Sequence, residues 1–73
     1  MIVPTIRTVI ADDEVLARKK LRLLLSVENG VSVVAECLDS RQTIAAVEQH
    51  RPDLLMLDIQ MPELDGFQVL QQI

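Results

Sequence analysis

Seventy-three residues suffice for one small domain, and a domain of that size buries only about 60–65% of the surface its unfolded chain exposes. Eleven acidic against seven basic side chains leave a net charge of −4, which argues against direct binding of nucleic-acid phosphates. A hydrophobic fraction of 49% excludes a disordered chain, no apolar run reaches the length of a membrane span, and the single cysteine, Cys37, excludes an internal disulfide or a zinc site built on several thiolates.

Met1 to Thr5 lacks the long apolar core of a signal peptide, so the expected location is the cytoplasm. With one Phe and no Trp or Tyr, the core must come from Val, Ile and Leu, as in parallel sheets covered by helices on both faces. Arg7 to Ala11 is a short β-branched run and predicts a first strand. It stops at Asp12-Asp13-Glu14, whose carboxylates suit the positive end of a helix dipole. From Glu14 to about Val27 the period is helical. Ala17, Leu21, Leu24 and Leu25 define one face, Leu16 and Leu23 widen it, and Arg18, Lys19 and Arg22 are expected on a basic outer surface. Asn29-Gly30 is a stop and turn.

Val31 to Cys37 predicts a second strand. Asp39 followed by Gln42 resembles a capping box, and a helical pattern runs from there to about His50. Arg51-Pro52 ends it, because the residue before a proline avoids the helical region. Asp53 to Ile59 is nearly continuous in apolar residues and predicts a central parallel strand, buried on both faces. Residues 60–66 form a loop with strong breakers, and Phe67, Leu70 and Ile73 open a third helix. Cys37 is expected to be a small buried hydrophobe, His50 a helix-end cation, and Met56 and Met61 packing residues.

The order βαβαβα implies a parallel α/β sheet with right-handed crossovers. Function in such sheets lies at the carboxyl ends of the strands, near the point where strand order reverses. Asp12 and Asp13 follow the first predicted strand, and Asp58 lies in the end of the third. In an order 2-1-3, these three carboxylates converge in one crevice. Like charges so close favour a proton or a metal. Three carboxylates with no nearby His or Cys favour Mg²⁺ over Zn²⁺. An aspartate beside such an ion can also act as a nucleophile towards a phosphoryl group.

Residues 9–14 (Val-Ile-Ala-Asp-Asp-Glu) and 53–66, an apolar strand followed by Asp58, Met61-Pro62 and Asp65-Gly66, resemble the two signatures of a two-component response-regulator receiver domain. The resemblance covers essentially the whole chain. It implies a flavodoxin-like sheet ordered 2-1-3-4-5, of which residues 1–73 supply the first three βα units, from the first strand to the start of the third helix. It further implies that Asp58 is the phosphoacceptor, and that Asp12, Asp13, Asp58 and the backbone carbonyl of Gln60 hold Mg²⁺, Asp12 mainly through water. A sensor histidine kinase is the implied phosphodonor. The run from Asp12 to Arg22 resembles the LytTR-type subgroup, whose regulators carry a separate DNA-binding domain.

The departures from the family pattern bear on activity. The fourth strand with its Ser or Thr and the fifth with its Lys have no counterpart in these residues, and Lys19 and Lys20 lie on the first helix. The chain therefore reads as the N-terminal part of a receiver, a regulatory phosphoacceptor with no turnover activity, and is expected to be inactive as it stands. An exposed apolar third strand predicts self-association. The resemblance also offers Arg18, Lys19 and Arg22 as a kinase-docking face, against the simpler reading of a solvated helix surface. Two other readings compete: a pseudo-receiver that works without phosphorylation, and a Mg²⁺-dependent phosphohydrolase. The hydrolase needs a second acid two residues after the nucleophile, where this chain has Gln60.

Overall fold

A computed structural model describes residues 5–58, with 70 and 71. Its elements are β1 (Ile6–Ala11), α1 (Val15–Ser26), β2 (Val31–Cys37), α2 (Ser40–His50) and β3 (Leu54–Leu57). Leu70 and Gln71 are helical, as expected for the opening of a third helix. The three strands form one parallel sheet in the order β2-β1-β3. The strands and helices agree with the sequence reading to within one residue at each end that can be compared; Asp53 and Asp58 lie just outside β3, and Ile59, the expected last residue of that strand, lies outside the described residues.

β1 is central, and its residues Thr8 to Ala11 are fully buried. Successive strand residues point to opposite faces. Val9 and Ala11 face α2, where they form a core with Cys37 and Ala46, against which Val34, Ala35, Leu55 and Leu57 pack. Ile10 faces α1 and lines a cavity there with Leu21 and Met56. Met56 is half-buried there.

A register shift in β2 decides which side chains reach which helix. Thr8 pairs with Val33 but Val9 pairs with Ala35, so Val34 is an extra residue. An inserted residue changes the phase of alternation. Val31 and Val33 line a cleft with Arg22 and Leu25 of α1, whereas Ala35 and Cys37 pack into the core beneath α2. Glu36 consequently points back towards α1. There it pairs with Arg22 at 2.6 Å and lies 3.9 Å from Arg18.

Helix α2 is closed at both ends. Asp39 accepts from the Gln42 N–H at 2.7 Å, and the Gln42 side chain accepts from the Leu38 N–H at 3.0 Å. The capping box is therefore reciprocal, although its second bond lands one residue before the cap. At the other end Arg51 turns into the left-handed region, with φ 46° and ψ 61°. The following proline keeps it out of the right-handed helical region, as expected, but the tertiary path selects the left-handed conformation over an extended one. Arg7 of β1 donates to the carbonyl of His50 at 2.6 Å, placing a cation at the negative end of the helix. His50 itself occupies the last turn.

Helix α1 corrects the expected facing. Its half-buried residues are Ala17, Arg18, Leu21 and Leu25. Leu16, Leu23, Leu24 and Val27 are exposed, at 72%, 70%, 58% and 74%. The helix packs towards β2, so only part of its wide apolar stripe meets the sheet. Arg18 faces inward because it shares the i, i+3, i+7 row with Leu21 and Leu25. Lys19 and Lys20 are exposed. No helix among the described residues is long and apolar enough to cross a membrane.

Candidate functional site

The carboxyl ends of β1 and β3 lie side by side. Ala11 pairs with Leu57, and the Asp58 N–H donates to the Ala11 carbonyl at 2.9 Å. This extends the ladder one step past β3 and brings Asp58 opposite Asp12. On the other flank the Asp12 N–H donates to the Cys37 carbonyl at 3.0 Å. Both aspartate positions are thus set by backbone ladders, which hold better than loops do.

Asp12 is fixed at three atoms. Its N–H is held by β2. Its carboxylate Oδ1 accepts from the Glu14 N–H at 2.9 Å. Its carbonyl accepts from Arg18 Nη1 at 2.7 Å. The Oδ1 bond satisfies a backbone donor at the start of α1, where Glu14 makes no side-chain cap of its own. The acids at the end of β1 therefore serve the helix start, as their position predicted, but Asp12 does it through an Asx turn.

One carboxylate oxygen from each of Asp12, Asp13 and Asp58 lies within 4.8 Å of the other two. Asp12 and Asp58 are half-buried and Asp13 is exposed. Like charges at that separation repel, and a cation between them reverses the sign of the interaction. The donors are hard oxygens with no nitrogen or sulfur among them, a set that fits Mg²⁺ better than Zn²⁺. Asp12 and Asp58 rim a cavity of about 370 Å³, with Ile10, Leu21 and Met56 in its wall.

All three predicted aspartates are brought together. Gln60, Met61-Pro62, Asp65-Gly66 and Phe67 lie outside the described residues. The sequence reading did not place Arg18 at the site. Its signal is the apolar i+3 and i+7 spacing to Leu21 and Leu25, which marks an inward-facing position. Cys37 is 3% exposed, which bears out its reading as a buried hydrophobe. Burial pushes its thiol pKa up, against the lowering effect of a hydrogen bond with Thr43.

The model of the response regulator receiver domain matches residues 8–73. The chain belongs to this family. The receiver is 45% identical over 65 residues to the transcriptional regulatory protein BtsR of Salmonella typhi, covering 89% of this chain and 27% of that protein. Among solved structures, the signal receiver domain of NarL from Mycobacterium tuberculosis superposes with a TM-score of 0.86 at 36% identity, covering 90% of this chain and 53% of that one. The response regulator domain of Thermotoga maritima CheB superposes with a TM-score of 0.90 at 28% identity, covering 94% and 52%. The receiver thus spans about a quarter of the curated relative and about half of each solved domain. The sheet order β2-β1-β3 is that of the first three strands of the flavodoxin-like fold.

Proposed function

We propose that this receiver is a phosphoacceptor module of a two-component system, with Asp58 as the residue that takes the phosphoryl group. The supporting observation is the convergence of Asp12, Asp13 and Asp58 within 4.8 Å at the ends of two adjacent strands. An Asp58 carboxylate oxygen attacks phosphorus. The P–N bond of a kinase phosphohistidine breaks, and its electron pair returns to the imidazole nitrogen. Asp12, Asp13 and Asp58, with the backbone carbonyl of Gln60, would hold Mg²⁺. The bound ion supplies charge neutralisation for the transferring phosphoryl group. Asp12 orients the site through its three fixed atoms, and the ladder from Ala11 holds Asp58 in place.

The added charge on Asp58 shifts a conformational equilibrium that a linked output domain reads. The BtsR likeness supports a transcriptional output, and the Asp12-to-Arg22 run supports a DNA-binding domain of LytTR type. The module is regulatory, works in the cytoplasm, and receives its phosphoryl group from a sensor histidine kinase. It also self-associates, through β3, which lies at the edge of the described sheet.

Intact mass after incubation with Mg²⁺ and acetyl phosphate tests this reading. The family's Ser or Thr and Lys, which have no counterpart in these residues, are the ground for expecting inactivity, but the three aspartates converge without them, so one added phosphoryl group, absent in Asp58→Asn and in EDTA, is the expected result. An unchanged mass in the wild type rejects phosphotransfer to this chain and favours a phosphorylation-independent interaction module.

A further inference from the structure

Arg18 occupies an unusual position for a residue in a run of helix-surface cations. Its side chain is only 14% exposed. Nη1 donates to the Asp12 carbonyl at 2.7 Å, and Nε lies 3.9 Å from the Glu36 carboxylate. Glu36 is in turn held by Arg22 at 2.6 Å. The chain of contacts runs from β2, through α1, to the peptide between Asp12 and Asp13. It depends on the extra residue in β2, because without that change of phase Glu36 would face α2.

We infer that Arg18 is a positioning residue for divalent-cation binding: it clamps the Asp12 peptide so that the Asp12 and Asp13 carboxylates converge on Asp58. The inference rests on the metal-site reading above. Arg18 exerts two effects of opposite sign. As a cation near three carboxylates it repels a metal ion. As a hydrogen-bond donor to Asp12 it holds the turn that presents the ligands. The geometry favours the second. The guanidinium points at a carbonyl on the backbone side of Asp12, its charge is shared with Glu36, and groups behind metal ligands commonly change affinity by about 10–100-fold.

The opposite signs give a direct test. Mg²⁺ binding to the chain is measured by calorimetry for the wild type, Arg18→Met, Arg18→Lys, Glu36→Gln and the double variant Arg18→Met/Glu36→Gln, with thermal melting of each in EDTA. Positioning predicts that Arg18→Met weakens Mg²⁺ binding about tenfold, and that Arg18→Lys, which keeps a donor and the charge, recovers part of the loss. It also predicts that Glu36→Gln weakens binding in the wild-type background but not in Arg18→Met, since both act through one clamp. Tighter binding in Arg18→Met, or an unchanged affinity, overturns the inference while leaving the metal site intact. A wild-type chain that takes up no Mg²⁺ overturns the metal-site reading and this one together. If Arg18→Met does not melt cooperatively, Arg18→Lys and Glu36→Gln carry the test, and wild-type affinity in both overturns the inference.

Discussion

The backbone N–H of Asp58 donates to the carbonyl of Ala11 at 2.9 Å, one step beyond the last residue of β3. That single bond carries the parallel ladder to the strand ends and sets Asp58 opposite Asp12. A slip of one residue would turn Asp58 to the other face of the sheet. The acidic cluster is therefore a consequence of strand register, and the buried core beneath it, Val9 and Ala11 against Leu55 and Leu57, holds that register.

Cation binding should stabilise the fold by linkage. At Mg²⁺ a hundredfold above its dissociation constant the gain is about 2.7 kcal/mol, read as a higher midpoint in thermal melts. Asp13→Asn should lose most of that gain. In EDTA it should melt at or slightly above the wild type, because relief of repulsion at an exposed site gives at most about 1 kcal/mol. An undiminished Mg²⁺ response in Asp13→Asn would remove that residue from the ligand set.

The left-handed conformation of Arg51 costs a residue with a Cβ more than it costs glycine. Arg51→Gly should stabilise the chain by about 0.5–1 kcal/mol, measured by urea unfolding with an unchanged m-value. Asp39→Ala, which removes the cap at the other end of α2, should destabilise by about 1 kcal/mol. Loss of stability in Arg51→Gly would show that Arg51 makes contacts worth more than its strain.

Cys37 sets a pH dependence. Burial raises its pKa, so the native state holds the thiol proton at pH values where the unfolded chain has released it. The contribution is complete below the unfolded thiol pKa of about 8.5 and is lost as pH rises from there through the folded value. Stability should fall above about pH 8.5, with a shallower fall in Cys37→Ala once its lower baseline is subtracted. Equal slopes in the two proteins would assign the alkaline loss to other groups.

Self-association should appear in sedimentation velocity as a weight-average coefficient that rises with concentration. β3 lies at the edge of the described sheet with Leu54 exposed, and α1 presents Leu16, Leu23 and Leu24. Leu54→Lys, which places a charge on the edge strand, and Leu23→Glu, which interrupts the helix stripe, should each shift the distribution towards monomer. A concentration-independent monomer in the wild type would refute the expectation.

Local signals carried much of this receiver. The apolar runs of β1, β2 and β3, the Asp39–Gln42 cap and the Asn29-Gly30 stop are each encoded within a few neighbouring residues, and all appear near their expected places. The three aspartates were legible because a parallel α/β sheet puts strand ends together, whatever the detailed packing. The facing of α1 was not. Its leucines span a stripe wider than the surface it meets, so periodicity alone does not say which of them reach the sheet, or that Arg18 turns inward with them. Nor could periodicity reveal the extra residue at Val34, since Val31 to Ala35 is nearly uniform in apolar character and either phase satisfies it. Only the pairing with β1 chooses the phase. That choice turns Glu36 towards Arg18, and through Arg18 to Asp12. Sequence determined the elements, their order and the acids at their ends, because these depend on short-range chemistry. Tertiary structure decided register, helix facing and the clamp behind the site, because these depend on which surfaces meet.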